Sequence, residues 1–497
     1  MMDSDNRIFS TVDKNISYIK SRFGDGINLV ISRYEILQNH IPVGLVYIET
    51  ISDKEAIMKH VVKPMLTCNN TSCPSSGNIV QFISLSVITF TGINQTDDWN
   101  VILQSIMNGC TILFVENSNT ALIIMSGKAE SRPIETPENE VTVLGSQESF
   151  TDNIKTNCGL ILKRLPVPNL KFEEFTIGTL SHTKVKLIWL EGIANAEVIN
   201  EARRRLQSID IDNLDGIGAL SELIEDKPFS ILPKYRQTER PDVVAKSLSN
   251  GRFGIICDNS PFAFTAPISL WDNFKSMDDY EERSLTSSFL RIIRYISFVL
   301  SFLVSSLYLA FVTYNQAIVP SALAVNIASG REGVPFPSVV ELLLLTIGIT
   351  IIREAGVRMP GSVGYFVGTL AAVVIGQAIV TAGYVSASLI IVVAVSTISS
   401  FAISTTTMIF PSTLLNYIFI LLAASFGIFG VACGLTFLIW YLITLESFGM
   451  PYLYPLLPYD GRGAADTIVR PTPNILTKRM KYLSPTNRVK IGNKGIK

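Results

Sequence analysis

The chain has 497 residues, of which 48% are hydrophobic and 17% charged, and its formal net charge is only −1. This balance hides a division, because residues 1–290 carry 27 basic and 36 acidic side chains (27 − 36 = −9), whereas residues 291–497 carry 14 and 6 (14 − 6 = +8). The acidic first part argues against a nucleic-acid-binding protein, which would need a basic surface.

The first 30 residues contain no apolar run of the kind that signal peptides have, so we expect the N-terminal part to stay on the side of the membrane where it is made. Six cysteines are scattered along the chain. The close pair, Cys68 and Cys73, has neither a second pair nor a nearby histidine. This spacing favours reduced structural thiols over a zinc site.

The first part of the chain contains an internal duplication at an offset of 142 residues. The run VGLVYIETI at 43–51 matches VKLIWLEGI at 185–193, and TDDWNV at 96–101 matches TERPDV at 238–243. Two shorter matches have the same offset. The pair NG at 108–109 recurs at 250–251, and ENS at 116–118 matches DNS at 258–260. Each copy predicts a strand, a helix, a further helix and a hairpin. The predicted strands are 45–49 and 187–191, the first helices 54–62 and 196–206, and the hairpins 111–116 with 121–125 and 253–258 with 262–266.

We therefore predict two similar α/β subdomains, at 1–126 and 167–270, joined by a polar connection at 127–166. Each is large enough for a core of its own. Such a pair can form a cleft or serve as a rigid scaffold, and no residue pattern here selects a ligand. Residues 271–294 follow as a juxtamembrane segment. Its acidic cluster precedes Arg291 and Arg294, which is typical of an interfacial helix at a cytoplasmic boundary.

Residues 295–448 are predicted to form an all-α polytopic membrane domain. The 87 residues of 359–445 contain no Asp, Glu, Lys, Arg or His, and a bilayer crossing needs about 20 mostly apolar residues. Four to six crossings are expected. The candidate spans are 295–314, 338–352, 361–381, 384–405 and 414–445, of which the last is long enough to be a hairpin broken near Gly427–Gly434.

The tail at 449–497 is predicted to be basic and cytoplasmic, since nine Lys or Arg residues follow Pro458. Basic connections stay on the inner side of a membrane. The N-terminal part, the connection that contains Arg353 and the tail would then all face the cytoplasm, which requires an even number of crossings.

No constellation for enzyme chemistry, metal binding or a cofactor is present in the sequence. Walker, GxSxG and HExxH motifs are missing, and so is a GxGxxG after a strand. His40, His60 and His182 lie in the first part without partners, as surface or core histidines usually do. The membrane domain has no histidine, cysteine pair or carboxylate pair, so the chain is predicted not to be an enzyme.

The membrane domain does contain a hydroxyl row, which we define as Ser396, Ser400, Ser404 and Thr407. These residues recur at helical spacing, and hydroxyls within lipid must face another helix or water. They either hold helices together or line a water-filled pathway. Gly361, Gly364, Gly368 and Gly376 favour close packing of helices over a water-filled pathway.

Glu341 lies inside the shortest candidate span, where a central carboxylate costs about 2.5–3.5 kcal/mol on insertion scales. Arg331 or Arg353 could pair with it, or it could lie near the outer headgroups. Arg353, Glu354 and Arg358 form a charged turn that ends at a Pro-Gly pair. This turn is either an anchor on the inner side or a contact with the soluble part, so all four charged residues are candidates for gating or coupling.

Several runs together resemble the A subunits of the GerA-type nutrient germinant receptors of spore-forming Firmicutes, from about residue 132 to 471. They are TERP at 238–241, DY at 279–280, GREGVPFP at 330–337, REAGVRMP at 353–360 and DTIVRP at 466–471.

The resemblance implies a multi-pass protein of the spore inner membrane that acts with a polytopic B subunit and a lipoprotein C subunit. It further implies that the B subunit binds the nutrient and that A subunits associate into an ion-conducting oligomer, without cofactor or nucleic acid. We therefore expect a receptor subunit that transduces ligand binding into cation release. The alternatives are a non-conducting signalling scaffold and a solute transporter, and a transporter would show inverted repeats in the membrane domain.

Overall fold

A computed structural model describes the chain over residues 7–23, 27–36, 40–67, 79–90, 92–127, 136–137, 139–140, 142, 144–227, 229–358, 374–461, 463–472, 478–483, 487 and 489. The chain divides into two compact units. Unit 1 comprises Met1–Pro228, Tyr235–Pro267 and Thr477–Lys497, and unit 2 comprises Phe229–Lys234 and Ile268–Leu476. Cys68, Cys73 and most of the predicted span 361–381, with its first three glycines, lie outside the described residues.

Unit 1 contains ten strands and nine α-helices among its described residues. The strands are β1 (Leu29–Ile36), β2 (Ile41–Ile48), β3 (Ile93–Thr96), β4 (Thr111–Val115), β5 (Ala121–Ile124), β6 (Leu170–Ile177), β7 (Thr183–Leu190), β8 (Arg236–Thr238), β9 (Phe253–Cys257) and β10 (Ala263–Ala266). The helices are α1 (Val12–Phe23), α2 (Lys54–Ile57), α3 (Lys63–Thr67), α4 (Ile79–Phe82), α5 (Trp99–Met107), α6 (Ile154–Arg164), α7 (Ala196–Gln207), α8 (Ile217–Ile224) and α9 (Pro241–Ser249), with π-helical turns at Met58–Val62 and Ile83–Val87.

The strands form two antiparallel sheets with the same topology. The first has the order β1-β2-β4-β5-β3 and the second the order β6-β7-β9-β10-β8. The central strands β4, β5, β9 and β10 are buried along their whole length, as expected of strands covered on both faces. The predicted α/β region is thus confirmed as two sheets with helices.

The two sheets are related by the offset that relates the two sequence copies, down to individual hydrogen bonds. Asn15 exchanges two hydrogen bonds with the backbone of the residue six positions earlier, and Asn157, 142 residues later, does the same. The carboxylates of Glu116 and Asp258 accept from the first backbone N–H of α1 and of α6. A carboxylate at a helix N-terminus stabilises the unpaired N–H groups there. The same hydrogen-bonding arrangement therefore occurs at the N-terminus of α1 and of α6.

The second copy begins earlier than the sequence indicated. α6 lies inside 127–166, which was predicted to be a polar connection, yet its Ile154, Leu160 and Ile161 are buried. By the common offset α6 is the counterpart of α1, and the strand-based comparison missed both helices because it began at β2 and β7. One apolar cluster contains side chains of both copies, among them Phe114 and Ile256, whereas a second cluster, which includes Leu45 and Leu113, belongs to the first copy alone. The copies therefore share part of their core.

The polar run TERP at 238–241 holds the segment between the copies. The carboxylate of Glu239 accepts from the backbone N–H groups of Asn139 and Glu140, at 2.6 and 2.7 Å. Arg240 is almost fully buried and donates to the carbonyl oxygen of Glu140 and the hydroxyl of Thr142, at 3.0 and 2.6 Å. These bonds satisfy polar groups that burial would otherwise leave unpaired, so the run has a structural role in unit 1.

Unit 2 is helical. Its α-helices are α10 (Asp278–Glu281), α11 (Ser284–Thr313), α12 (Ser321–Ser329), α13 (Ser338–Arg358), α14 (Ile379–Thr381), α15 (Ala387–Phe401) and α16 (Ile409–Thr444). Short 3-10 turns lie at Leu270–Phe274, Gln316–Ile318, Thr406–Met408 and Ala464–Asp466, a π-helical turn at Val374–Ala378, and the strands β11 (Glu446–Ser447) and β12 (Met450–Pro451) form a small hairpin. The predicted helical C-terminal part is confirmed, whereas the number of crossings stays a prediction.

Two of the described helical stretches, Ser284–Thr313 and Thr406–Thr444, are long and apolar enough to cross a membrane. α15 is apolar but shorter. Helix α11 starts at Ser284, so the predicted single interfacial helix at 271–294 is instead a 3-10 turn, the short α10 and the first turns of α11.

α16 is a helical hairpin, as its length suggested. Gly427 has φ 59° and ψ −140°, which only glycine adopts readily, and it separates two helical arms. Beyond it, Gly434 lies against Leu422 and Phe419 of the first arm, where an added Cβ would be 2.7 Å from Leu422 Cδ1. Close approach of the arms therefore depends on residues without side chains.

The turn of this hairpin packs on the C-terminal end of α11. The hydroxyl of Tyr314 donates to the carbonyl oxygen of Ala424 at 2.6 Å, and Asn315 accepts from the backbone N–H of Ile428. At the opposite end of the unit, the hydroxyl of Tyr441 lies 2.8 Å from that of Ser230 and accepts from a neighbouring backbone N–H. Both ends of the hairpin are therefore fixed by hydrogen bonds within unit 2.

The predicted basic tail at 449–497 belongs to two units. Its first part, through Leu476, is assigned to unit 2, and the rest is assigned to unit 1. In unit 1, Arg479 Nε donates to the carbonyl oxygen of Ser249, and Leu483 is buried. Sequence reasoning placed the tail in the cytoplasm because of its charge and did not predict these contacts.

Candidate functional site

The hydroxyl row does not lie on one helical face, because α15 ends at Phe401. Ser396 and Ser400 lie in α15, Ser404 follows it, and Thr407 lies in the 3-10 turn before α16. Ser396 Oγ donates to the carbonyl oxygen of Ser301 in α11 at 2.6 Å, and Ser400 Oγ donates within its own helix. Both serines are buried. Ser396 therefore joins α15 to α11, whereas the hydrogen bond of Ser400 stays within α15.

The second half of the row has different partners. Ser404 Oγ and the neighbouring Thr405 Oγ1 both donate to the carbonyl oxygen of Asn273, at 2.8 and 3.0 Å. Thr407 Oγ1 is buried without a hydrogen-bond partner. The segment between α15 and α16 is thus joined to the 3-10 turn that precedes α11, and a polar atom remains beside this junction.

Glu341 is fully buried and joins three segments. Its carboxylate lies 3.4 Å from Arg331 Nη2, in the connection before α13, and accepts from the backbone N–H of Ser386 at 3.1 Å. Ser386 caps the N-terminus of α15, where the helix dipole favours a negative charge. Of the two partners that the sequence allowed, the structure selects Arg331.

The other charged candidates lie apart from Glu341. Arg353 Nη2 donates to the hydroxyl of Thr413 in α16 at 3.0 Å. Arg358 forms an exposed i,i+4 ion pair with Glu354 at 2.6 Å, a type of pair that contributes about 0.3–0.5 kcal/mol. The structure therefore links Arg353 to the helical hairpin and leaves the Glu354–Arg358 pair on the surface.

A buried charge cluster that sequence reasoning did not assemble lies at the start of α11. We define it as Asp279, Arg291, Arg294 and Asp466. Arg291 is fully buried and lies between two carboxylates, with Nη2 3.3 Å from Asp279 and Nη1 3.0 Å from Asp466. Arg294 Nη1 contacts both oxygens of Asp279, at 2.7 and 2.9 Å. The charges thus balance within the cluster.

Two residues extend the charge cluster into the segment after the hairpin. Tyr280 donates its hydroxyl hydrogen to Asp466 at 2.7 Å, and the guanidinium of Arg470 lies over the Tyr280 ring, 5.6 Å from its centroid. Arg470 also donates to the backbone carbonyl oxygens of Tyr280 and Glu282. Residues before α11 and after α16 are therefore tied together at the base of α11.

The proton states in this cluster follow from burial and charge. Burial alone would raise the pKa of Asp466, but Lys275, Arg291 and the Tyr280 hydroxyl outweigh it and hold the pKa below its ordinary value. Burial, together with the charge of Asp466, raises the pKa of Tyr280 well above its ordinary value. Asp466 therefore stays ionised and Tyr280 stays a neutral donor at physiological pH.

The signal for the charge cluster was present in the sequence but was read differently. The runs DY at 279–280 and DTIVRP at 466–471 were noted only as points of resemblance, and Arg291 was assigned to a membrane boundary. Pairing residues 175 positions apart along the chain (466 − 291) requires the fold itself. In the part of the chain that the structure describes, no group of three or more His, Cys, Asp or Glu residues is placed to hold a metal ion.

Comparison with known proteins gives a family for the chain. A sequence profile described as Bacillus/Clostridium GerA spore germination protein matches residues 17–482. Spore germination protein KA of Bacillus subtilis (strain 168) is 34% identical over 486 residues, covering 98% of this chain and 89% of that protein. A protein of the same strain named as the uncharacterized membrane protein YfkQ is 35% identical over 453 residues, covering 91% of this chain and 87% of that protein.

One solved structure is also similar. The crystal structure of the N-terminal domain of the A subunit of the Bacillus megaterium spore germinant receptor GerK3 shares 30% sequence identity with the chain, with a TM-score of 0.43. The similarity covers 53% of this chain and 98% of that domain.

Proposed function

The chain belongs to the GerA family of spore germination proteins, and from this premise we propose that it is the A-type subunit of a nutrient germinant receptor in the inner membrane of a spore. Relatives named as spore germination proteins support this proposal, as does a relative named as a membrane protein. Two helical stretches of sufficient length and apolarity support insertion in the membrane. The partners would be a polytopic B subunit and a lipoprotein C subunit.

In this proposal the chain transduces nutrient binding in a partner into cation release. The observation that carries it is the pair of hydrogen bonds from Ser404 and Thr405 to the carbonyl oxygen of Asn273. The bonds couple the segment before α11 to the second half of the hydroxyl row. A displacement at residues 270–274 would therefore shift the connection between α15 and α16. The nutrient must favour the conducting arrangement by a differential free energy, since equal affinity for two states shifts nothing.

Self-association would complete the conducting path. Within one chain, Ser396 and Ser400 are bound to backbone carbonyl oxygens, whereas Thr407 has an unpartnered hydroxyl. A homo-oligomer would place the segment 404–407 of several copies around one axis. Glu341, by joining α13 to α15, and Arg353, by joining α13 to α16, would fix the helices relative to one another during gating.

A non-conducting signalling scaffold is the second candidate, and one contact favours it. Ser396 is buried and bound to the backbone of α11, which is the arrangement of a packing residue. In that case the Asn273 contact would transmit a structural change to a partner subunit, and no ion would pass through this chain.

The experiment compares Ser404→Leu with Ser404→Ala in spores that carry the full-length chain. Both changes remove the hydrogen bond to Asn273, but leucine also adds apolar bulk to the segment. For a conducting path we expect nutrient-triggered cation release to be lost with leucine and largely kept with alanine, because Thr405 still bonds to Asn273. Release is measured as cation efflux after nutrient addition, at matched amounts of protein.

The other outcomes separate the two candidates. Equal loss of cation release in both variants would show that Ser404 acts through its hydrogen bond to Asn273 and not by lining a path. That outcome would favour the non-conducting scaffold. Normal release in both would end the assignment of this segment to a pore. Ser400→Leu is a second variant for the path, since Ser400 bonds only within α15; normal release in this variant would remove Ser400 from the path.

A further inference from the structure

Among the described residues of 457–470, after the helical hairpin, the charged side chains are partly or fully buried and apolar side chains are exposed. Asp466 and Arg470 are turned inward, into contacts with Arg291, Tyr280 and the backbone. The exposed side chains among the described residues of this stretch include Leu457, Tyr459, Ile468 and Val469. A surface in contact with water would instead expose its charged side chains and bury its apolar ones.

Contacts along α11 fix the depth at which this segment lies. The hydroxyls of Ser284 and Ser288 donate to the carbonyl oxygen of Arg470, and the hydroxyl of Tyr295 donates to that of Thr467 at 2.8 Å. Residues 467–470 thus run along the first three turns of α11. At a rise of 1.5 Å per residue, Ser284 and Tyr295 are about 16 Å apart along the helix axis.

The opposite face of the same turns of α11 is exposed and apolar from its first turn. Leu285 is 84% exposed, and the exposed series continues along the helix with Phe289, Ile292, Ile293 and Ile296. The side chains of Ile468 and Val469 lie at the same level along the helix, because their neighbours in the chain contact Ser288 and Tyr295. Both stretches therefore present apolar side chains to one layer of the surroundings.

Exposed apolar surface of this extent, backed by inward charges, is typical of contact with a membrane interface. We propose that Leu457, Tyr459, Ile468 and Val469, together with the exposed apolar side chains of residues 285–296 in α11, form a surface embedded in the headgroup and upper acyl region of the bilayer. Its occupant is lipid, and the charge cluster lies behind this surface, shielded from lipid by the surface itself. The inference rests on the proposed membrane placement of unit 2, and it changes part of the predicted aqueous tail into a membrane-contacting segment.

Aromatic and aliphatic composition supports lipid as the occupant. Tyr459 is 77% exposed, and tyrosine prefers the headgroup level, where its ring is in apolar surroundings and its hydroxyl is wet. No outward-facing acidic residue interrupts Ile468 and Val469, since Asp466 faces the charge cluster.

The experiment places the photo-crosslinker p-benzoylphenylalanine at position 459 or 468 of the full-length chain, reconstituted in liposomes of phosphatidylcholine and phosphatidylglycerol. We expect lipid adducts at both positions after irradiation, detected by mass spectrometry. Position 437, an exposed phenylalanine in α16, is the matched membrane position and should also give lipid adducts. Position 180, an exposed leucine in unit 1, should give none.

The two control positions separate this inference from the proposed function. Lipid adducts at 437 without adducts at 459 and 468 would overturn the interfacial surface and leave the membrane placement of unit 2 intact. No adducts at 437 would contradict the membrane placement itself. Crosslinks from 459 and 468 to a second copy or to a partner subunit, in place of lipid, would also overturn the inference.

Discussion

Replacing Arg291 with alanine is expected to destabilise unit 2 by about 3 kcal/mol, the lower end of the range for breaking a buried ion pair, because each of its two carboxylate partners keeps one other cation nearby. Asp279 and Asp466 would both lose their contact with the fully buried guanidinium. Asp279 keeps Arg294 at 2.7 Å, whereas Asp466 keeps the more distant Lys275 at 4.0 Å and the hydroxyl of Tyr280. The measurement is the midpoint of thermal unfolding of the full-length chain in detergent, followed by size-exclusion chromatography of the soluble fraction.

Arg358→Ala is the matched control. Arg358 belongs to the same helical unit, but its ion pair with Glu354 is exposed, and surface substitutions usually change stability by no more than about 0.5 kcal/mol. An unfolding midpoint for Arg291→Ala equal to that of Arg358→Ala would show that the charge cluster does not hold the base of α11. Asp466→Asn should give an intermediate loss, since it keeps the shape of the side chain.

Replacing Gly430 with alanine is expected to prevent the hairpin of α16 from closing. An added Cβ would overlap the backbone carbonyl oxygen of Leu422 and crowd Phe426. Overpacking a core costs about 1–3 kcal/mol when side chains can move. A backbone carbonyl within a helical arm has little freedom to move, so we expect an effect at or above the upper end of that range. The thermal unfolding assay used for Arg291 measures it.

Gly348→Ala separates this steric effect from the general effect of alanine in a helix. Gly348 lies in α13, and an added Cβ there would meet nothing within 4 Å. Alanine is favoured over glycine in a helix interior by about 1 kcal/mol, so this control should be neutral or slightly more stable. A Gly430 variant that behaves like the Gly348 variant would contradict the close approach of the two arms.

The α/β part illustrates what a single sequence reveals. The strands β2 and β7 were predictable from their short apolar runs, and the hairpins that follow in each copy were predictable because Asn-Gly and Asn-Ser pairs bound their strands. The amphipathic helices α1 and α6 were missed. α6 has polar residues on much of its surface, so it was merged with the connection that precedes it.

Hydropathy located the helical unit but not the ends of its helices. α11 begins at Ser284, well before the uncharged stretch, because Arg291 and Arg294 are neutralised by Asp279 and Asp466 inside the fold. A charge count treats such arginines as water-facing. The same reasoning did not predict that Asp466 and Arg470, in the predicted cytoplasmic tail, form contacts with residues before and within α11.

The candidate site was predictable in part. Glu341 and Arg331 were named as a possible pair because a carboxylate within an apolar helix needs a partner, and the structure places them 3.4 Å apart. The hydroxyl row was taken as one helical stripe from its spacing. Its helical order breaks at Phe401, and the contact of Ser404 with Asn273 joins residues 131 positions apart, which no local pattern can indicate.

Cation flux in liposomes tests the proposed function most directly. The purified chain would be reconstituted with its partner subunits, and flux of a monovalent cation would be recorded before and after addition of a nutrient mixture that triggers the source spores. We predict flux that depends on the nutrient and on this chain and that is lost with Ser404→Leu but kept with Ser404→Ala. A fully assembled complex that passes no cation under any of these conditions would contradict a conducting role for this subunit.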